Sequence, residues 1–89
     1  MFPAMVQLLD FWAEWCGPCQ IMKPVVEELE RELKGKVEVK SVDVDADPNE
    51  ASKFGIMSIP TFVVLKNGKE VGRKIGVTSK TELMKLVNS

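Results

Sequence analysis

The sequence predicts an α/β fold, a mixed sheet that carries helices on both faces. Three features point there. The first 42 residues change period from strand to helix and back to strand, the pattern of a β-α-β unit. Asn67-Gly68 then separates two runs of β-forming residues, which gives an antiparallel hairpin. Two cap signals, Asp47-Pro48 and Ser79 with Glu82, mark further helix starts. The predicted order is β-α-β-α-β-β-α, and a parallel start followed by a hairpin requires a mixed, four-stranded sheet. Eighty-nine residues form one domain, 1–89, in which about 60–65% of the unfolded surface is buried.

The elements follow in order. Val6 to Phe11 is an apolar run with one acid inside it, bounded by Pro3 and by Gly17-Pro18, and reads as a buried strand. From Cys16 onward Ile21, Met22, Val25, Val26, Leu29 and Leu33 recur at helical spacing, with charged residues on the other face. Glu27 with Arg31, and Glu30 with Lys34, are spaced as i,i+4 ion pairs, and Gly35 stops the helix. Pro24 lies inside it, removes the bond to the Gln20 carbonyl and predicts a kink. Val37 to Val42 alternates, with Val37, Val39 and Ser41 on one face and Glu38 and Lys40 on the other. Asp47 caps a short helix that ends at Gly55. Thr61 to Leu65 and Glu70 to Ile75 flank the Asn67-Gly68 turn, and a capping box from Ser79 to Glu82 opens a last helix through Val87.

Composition removes several functions. Twelve basic against thirteen acidic residues leave a net charge of −1, and no basic run exists to hold nucleic acid or an anionic membrane. The opening MFPAMVQLLDFW lacks a basic start and meets Asp10 early, so it reads as neither signal peptide nor membrane helix. The cytosol is the expected compartment, and there structural disulfides are rare.

Both cysteines lie in FWAEWCGPCQ, three positions apart. Two thiols without any histidine do not make a structural zinc site. A disulfide across two intervening residues closes too small a loop to stabilise the chain much. Position favours a reactive pair. Cys16 falls where a strand's C-terminal end meets a helix N-terminus, and the free N–H groups and helix dipole there stabilise a thiolate, the attacking species in disulfide exchange. Cys19, a turn further in, is expected to be more buried and less ionised, and is placed to attack the Cys16 sulfur. Gly17 lets another chain come close, and Pro18 is tolerated in a first turn. Asp10 is an acid in the middle of a buried strand, costly there unless it has a task or a partner. Trp15, beside the nucleophile, is assigned to docking, whereas Phe11 and Trp12 are assigned to the core.

Trp15-Cys16-Gly17-Pro18-Cys19 within DFWAEWCGPC resembles the active site of the thioredoxin family. The similarity continues through Pro24, Ile59-Pro60-Thr61, the LKNG of the hairpin and Gly76, and so covers essentially the whole chain. It implies a thioredoxin-like three-layer sandwich and a protein-disulfide reductase. By the same resemblance Cys16 is the nucleophile, Cys19 the resolving thiol, and Asp10 the carboxylate beneath them that assists proton transfer. Pro60 is then a cis-proline facing the disulfide, Ile59 offers backbone to an extended substrate, and Trp15 and Gly76 line the docking surface. No cofactor is implied beyond the Cys16–Cys19 disulfide. The implied partners are disulfide-containing proteins and a reductase that supplies electrons to a monomer.

Two departures from the family pattern carry expectations of their own. Fifteen residues before Cys16 leave no room for the family's usual N-terminal strand and helix, so the 37–42 strand is expected at the sheet edge, with Glu38 and Lys40 as edge protection. A lysine that the family often places near the acid is Ser41 here, expected to face inward, which leaves Asp10 without a cationic neighbour. A reading from another class is a non-catalytic interaction module that uses the Trp15, Ile59 and Gly76 surface.

Overall fold

The computed structural model describes residues 5–89, so Pro3 lies outside the described part. The elements are β1 (Val6–Trp12), α1 (Gly17–Glu32), β2 (Glu38–Asp43), α2 (Pro48–Lys53), β3 (Thr61–Lys66), β4 (Lys69–Ile75) and α3 (Lys80–Val87). The sheet order is β2-β1-β3-β4. β1 runs parallel to β2 and antiparallel to β3, and β3 is antiparallel to β4. The mixed four-stranded sheet is therefore as the sequence implies, with β2 at an edge. Asn67 and Gly68 both have positive φ, 54° and 83°, as a type I′ turn requires.

The pleat sends alternate side chains to two separate cores. On one face Leu8, Phe62 and Val64 pack under Met22, Val26 and Leu29 of α1, Leu33 at its C-cap, and Leu83 and Val87 of α3. On the other, Leu9, Phe11, Val42, Val63 and Leu65 pack against Ala51, Phe54 and Ile56 around α2. Helices thus cover both faces, and the fold is the three-layer sandwich. α3 approaches closely: a Cβ on Gly72 of β4 would meet Leu86 Cδ1 at 2.7 Å, so glycine there leaves room for the helix.

Several local expectations fail, each for a physical reason. Ile21 is 64% exposed, because the buried stripe Met22-Val26-Leu29-Leu33 is narrow and position 21 falls outside it. The ion pairs found among the described residues do not include Glu27–Arg31 or Glu30–Lys34. Instead Glu28 and Glu32 of α1 converge on Lys80 of α3, the Glu28 contact at 2.9 Å. Ser79 Oγ accepts the Glu82 N–H at 3.1 Å, so the cap forms. Its reciprocal half does not: the Glu82 carboxylate turns toward Lys74, 3.4 Å away.

Candidate active site

β1 ends at Trp12 and the chain turns through Ala13, whose carbonyl accepts the Cys16 N–H at 3.2 Å. That turn places Cys16 at the N-cap of α1 in extended conformation, and its Sγ accepts the Cys19 N–H at 3.2 Å. The cap position thus holds sulfur where serine or aspartate would ordinarily place oxygen. The same two residues are joined as a disulfide, with Cα atoms 5.2 Å apart. They pack with Ala13 against Trp12, Val44 and Ile59, a small core separate from the other two. Each cysteine is 5% exposed, so burial does not distinguish them as expected. The closed bridge holds both sulfurs in one environment, and what separates them is the cap: Cys16 Sγ receives the helix N–H.

The segment before β3 supplies the facing wall. Ile59–Pro60 is cis, as the resemblance implies, and the Ile59 carbonyl oxygen lies 3.9 Å from Cys16 Sγ. Pro60 is fully buried, and its carbonyl accepts the Gly76 N–H at 2.7 Å, which ties the end of β4 to the same wall. Gly76 has φ +89°, a conformation that other residues adopt only with strain. Trp15 is 71% exposed and its indole N–H donates to Asp45 Oδ2 at 2.7 Å, so the ring is held while it faces solvent. Gly17 has open space where a Cβ would project, and Pro18 is exposed beside it. Of the residues singled out from the sequence, Asp10 shares a pocket with Cys19, Ile59 faces Cys16, Pro60 and Gly76 form the wall behind Ile59, and Trp15, Gly17 and Pro18 are exposed beside the pair.

Asp10 is 8% exposed, and burial pushes its carboxyl up to about 6. It opens into a pocket of about 200 Å³ lined also by Trp12, Cys19, Gln20, Lys23, Val26, Glu27, Glu30 and Ser41. Ser41 pairs with Asp10 in the β1–β2 ladder and lines the same pocket, on the expected face, although it stays exposed. Among the described residues β2 is an edge strand, which leaves Ser41 open to solvent while Val42 stays buried on the other face. Trp12, assigned to the core, contributes a buried indole N–H that has no protein partner. Sequence reasoning missed this pocket. A signal for it exists in the run Cys19, Lys23, Glu27 and Glu30, which recurs at helical spacing on the cysteine-bearing side of α1.

Among the described residues no cluster of three or more His, Cys, Asp or Glu is placed to hold a metal. No helix among them is long and apolar enough to cross a membrane. The family model described as Thioredoxin matches residues 3–89. A thioredoxin of Rickettsia felis is 48% identical over 81 residues, 91% of this chain and 77% of the relative. One from Bacillus subtilis is 48% identical over 83 residues, 93% of this chain and 80% of the relative. The X-ray structure of Fasciola hepatica thioredoxin superposes with a TM-score of 0.87 at 40% identity, covering 94% of this chain and 79% of that one.

Proposed function

We propose, for a chain that belongs to the thioredoxin family and is a thiol–disulfide oxidoreductase, that it works in the reducing direction on disulfides of other proteins. Residues 1–89 act as one domain and as a monomer in the cytoplasm. Electrons come from a reductase of the thioredoxin-reductase type, and the chain needs neither metal nor organic cofactor. The Gly17-Pro18 pair between the cysteines supports this direction, since it resembles reducing members of the family.

Once the Cys16–Cys19 bond is reduced, the Cys16 thiolate attacks a substrate sulfur. One substrate sulfur leaves and a mixed disulfide forms. Cys19 loses its proton to the Asp10 carboxylate and attacks Cys16 Sγ, which re-forms the internal disulfide and releases the second substrate thiol. Ile59 and Pro60 present backbone to the substrate strand, a single-strand form of β-augmentation. Trp15, Gly17, Pro18 and Gly76 form the surface against which the substrate lies.

The observation that carries this reading is the cap: Cys16 Sγ sits at the N-terminus of a 16-residue helix and accepts the Cys19 N–H at 3.2 Å. A donor and a helix dipole aimed at one sulfur favour its anion. Insulin reduction coupled to dithiothreitol tests it. Cys16→Ser is expected to fall to the uncatalysed rate, while Cys19→Ser accumulates a stable mixed disulfide visible by mass. Turnover by the Cys16→Ser chain rules out the mechanism, and equal partner binding by a doubly substituted chain supports an interaction module instead.

A further inference from the structure

Among the described residues, nine side chains line the pocket, and of these Lys23 is the single cation. It takes part in none of the ion pairs found among the described residues, and no hydrogen bond joins it to Asp10. Position 23 is one helical turn beyond Cys19 and one before Glu27, so its long side chain has two acids to choose between. One is Glu27 on its own helix, and the other is Asp10 across the pocket. Among the described residues the remaining surroundings of Asp10 offer no competing cation. Glu30 adds a further negative charge from α1, β2 contributes the neutral Ser41, and β3 places Phe62 beside it in the ladder. A lysine ammonium on a four-carbon stem moves at small cost, and a pocket open to solvent gives it room.

We propose that Lys23 is the mobile counter-ion of Asp10. It lies toward Glu27 while Asp10 holds a proton and turns across the pocket when the carboxyl is ionised. The proposal rests on the reading in which Asp10 takes the proton of Cys19. In that step the Cys19 S–H bond breaks, the proton goes to the Asp10 carboxylate, and the new thiolate attacks Cys16 Sγ. The bond from Cys16 to the substrate sulfur breaks and the substrate leaves as a thiolate. The step therefore needs an ionised Asp10 at its start, and an ammonium facing the pocket favours that state over the neutral acid. After the transfer nothing holds Lys23 to Asp10, and the proton leaves through the open side of the pocket. Lys23 is thus a positioning residue that sets when the acid is ready.

The experiment follows the Asp10 carboxyl carbon by NMR titration in the full reduced chain, together with the pH profile of kcat/KM for insulin reduction. Lys23→Met keeps the apolar stem and removes the charge. It is expected to move the Asp10 titration and the acid limb of the profile upward by roughly half a pH unit, since the pocket is solvent-screened. Glu27→Gln is expected to move both downward. Adding Ser41→Lys to the Lys23→Met chain returns a cation to the opposite wall and is expected to reverse the shift. Lys85→Met, remote from the pocket on α3, is expected to leave both readouts unchanged. An unaltered Asp10 titration in Lys23→Met overturns the proposal, as does an upward shift in Glu27→Gln. If Asp10→Asn turns over as fast as the parent, the catalytic role of Asp10 fails, and the NMR titration still decides whether Lys23 answers to it.

Discussion

Leu8 and Asp10 stand two residues apart on one face of β1, beneath the same helix, and meet opposite surroundings. Leu8 is wholly buried among Leu29, Phe62, Val64 and Leu83, with both α1 and α3 closed over it. Asp10, 8% exposed, faces a pocket of about 200 Å³ that packing has not filled. Both positions are dry enough to favour an apolar side chain. Where the chain supplies one, the layer closes. Where it supplies an acid, a pocket remains beside it that reaches Cys19. The two ends of one helix–sheet contact thus divide the work, with stability at the Leu29 end and chemistry at the Cys19 end.

The strongest challenge to that division is a cavity at the closed end. Leu29→Ala removes a fully buried side chain from the α1 core and is expected to destabilise by about 3 kcal/mol. Measured by urea unfolding, the loss should appear as a lower midpoint with unchanged slope. Below the transition, kcat/KM for insulin reduction should stay within a factor of about two of the parent, which is roughly 0.4 kcal/mol of barrier. A tenfold fall in the folded protein means that the closed end also holds the site in shape, and the division is wrong.

Asp10→Ala probes the open end and has the opposite sign. The folded pKa is raised from 3.8 to about 6, so the native state keeps a proton that the unfolded chain has released. The contribution to stability is complete below pH 3.8 and is lost as pH rises through about 6. That rise corresponds to roughly 3 kcal/mol as a ceiling at neutral pH, and the enlarged pocket left by alanine offsets part of it. The variant is expected to be more stable than the parent by about 1–2 kcal/mol at pH 8, to lose that advantage toward pH 4, and to exchange disulfides more slowly. Lower stability at pH 8 identifies Asp10 as an ordinary core acid with a partner in solution.

Much of this arrangement was legible beforehand because punctuation residues mark it. Asp47, Ser79 and the Asn67-Gly68 pair each act through their own backbone neighbours, so their effect survives any tertiary context. The cysteine pair was legible for the same reason, since a strand end followed by Gly-Pro places Cys16 at the helix mouth. Features that depend on what lies across a gap were not. Ser41 faces the pocket as strand alternation implies, yet its exposure was not foreseen, because among the described residues no strand lies outside β2 to cover it. Ile21 follows the helical apolar pattern, yet the stripe that meets the sheet is narrower than the pattern. The pocket under Cys19 is walled by β1, α1 and β2 together, an arrangement that no single segment encodes.

The smallest effect is expected at the charge cluster that spans the closed end. Lys80 of α3 meets both Glu28 and Glu32 of α1, and this raises the Lys80 pKa and lowers that of Glu28, hydrogen bonding being the first cause in each. For Glu28, whose folded value is depressed, the benefit is present above its unfolded pKa of 4.5 and is lost as pH falls through the folded value. For Lys80, whose folded value is raised, it is present below the unfolded pKa of 10.5 and is lost as pH rises through the folded one. Both windows include neutral pH, so the sign there is stabilising. All three side chains are solvated, however, and water and salt screen such contacts. The Ser79 cap one residue away provides the yardstick, because Ser79→Ala removes a helix N-cap and is expected to cost about 1 kcal/mol. Lys80→Met should lower the urea midpoint by less than Ser79→Ala at low salt, and the difference from the parent should disappear in molar sodium chloride. A Lys80→Met loss that exceeds the cap and persists in salt means that ion pairing, rather than Leu29 and Leu83, holds α1 to α3, and the closed end owes its stability to charge.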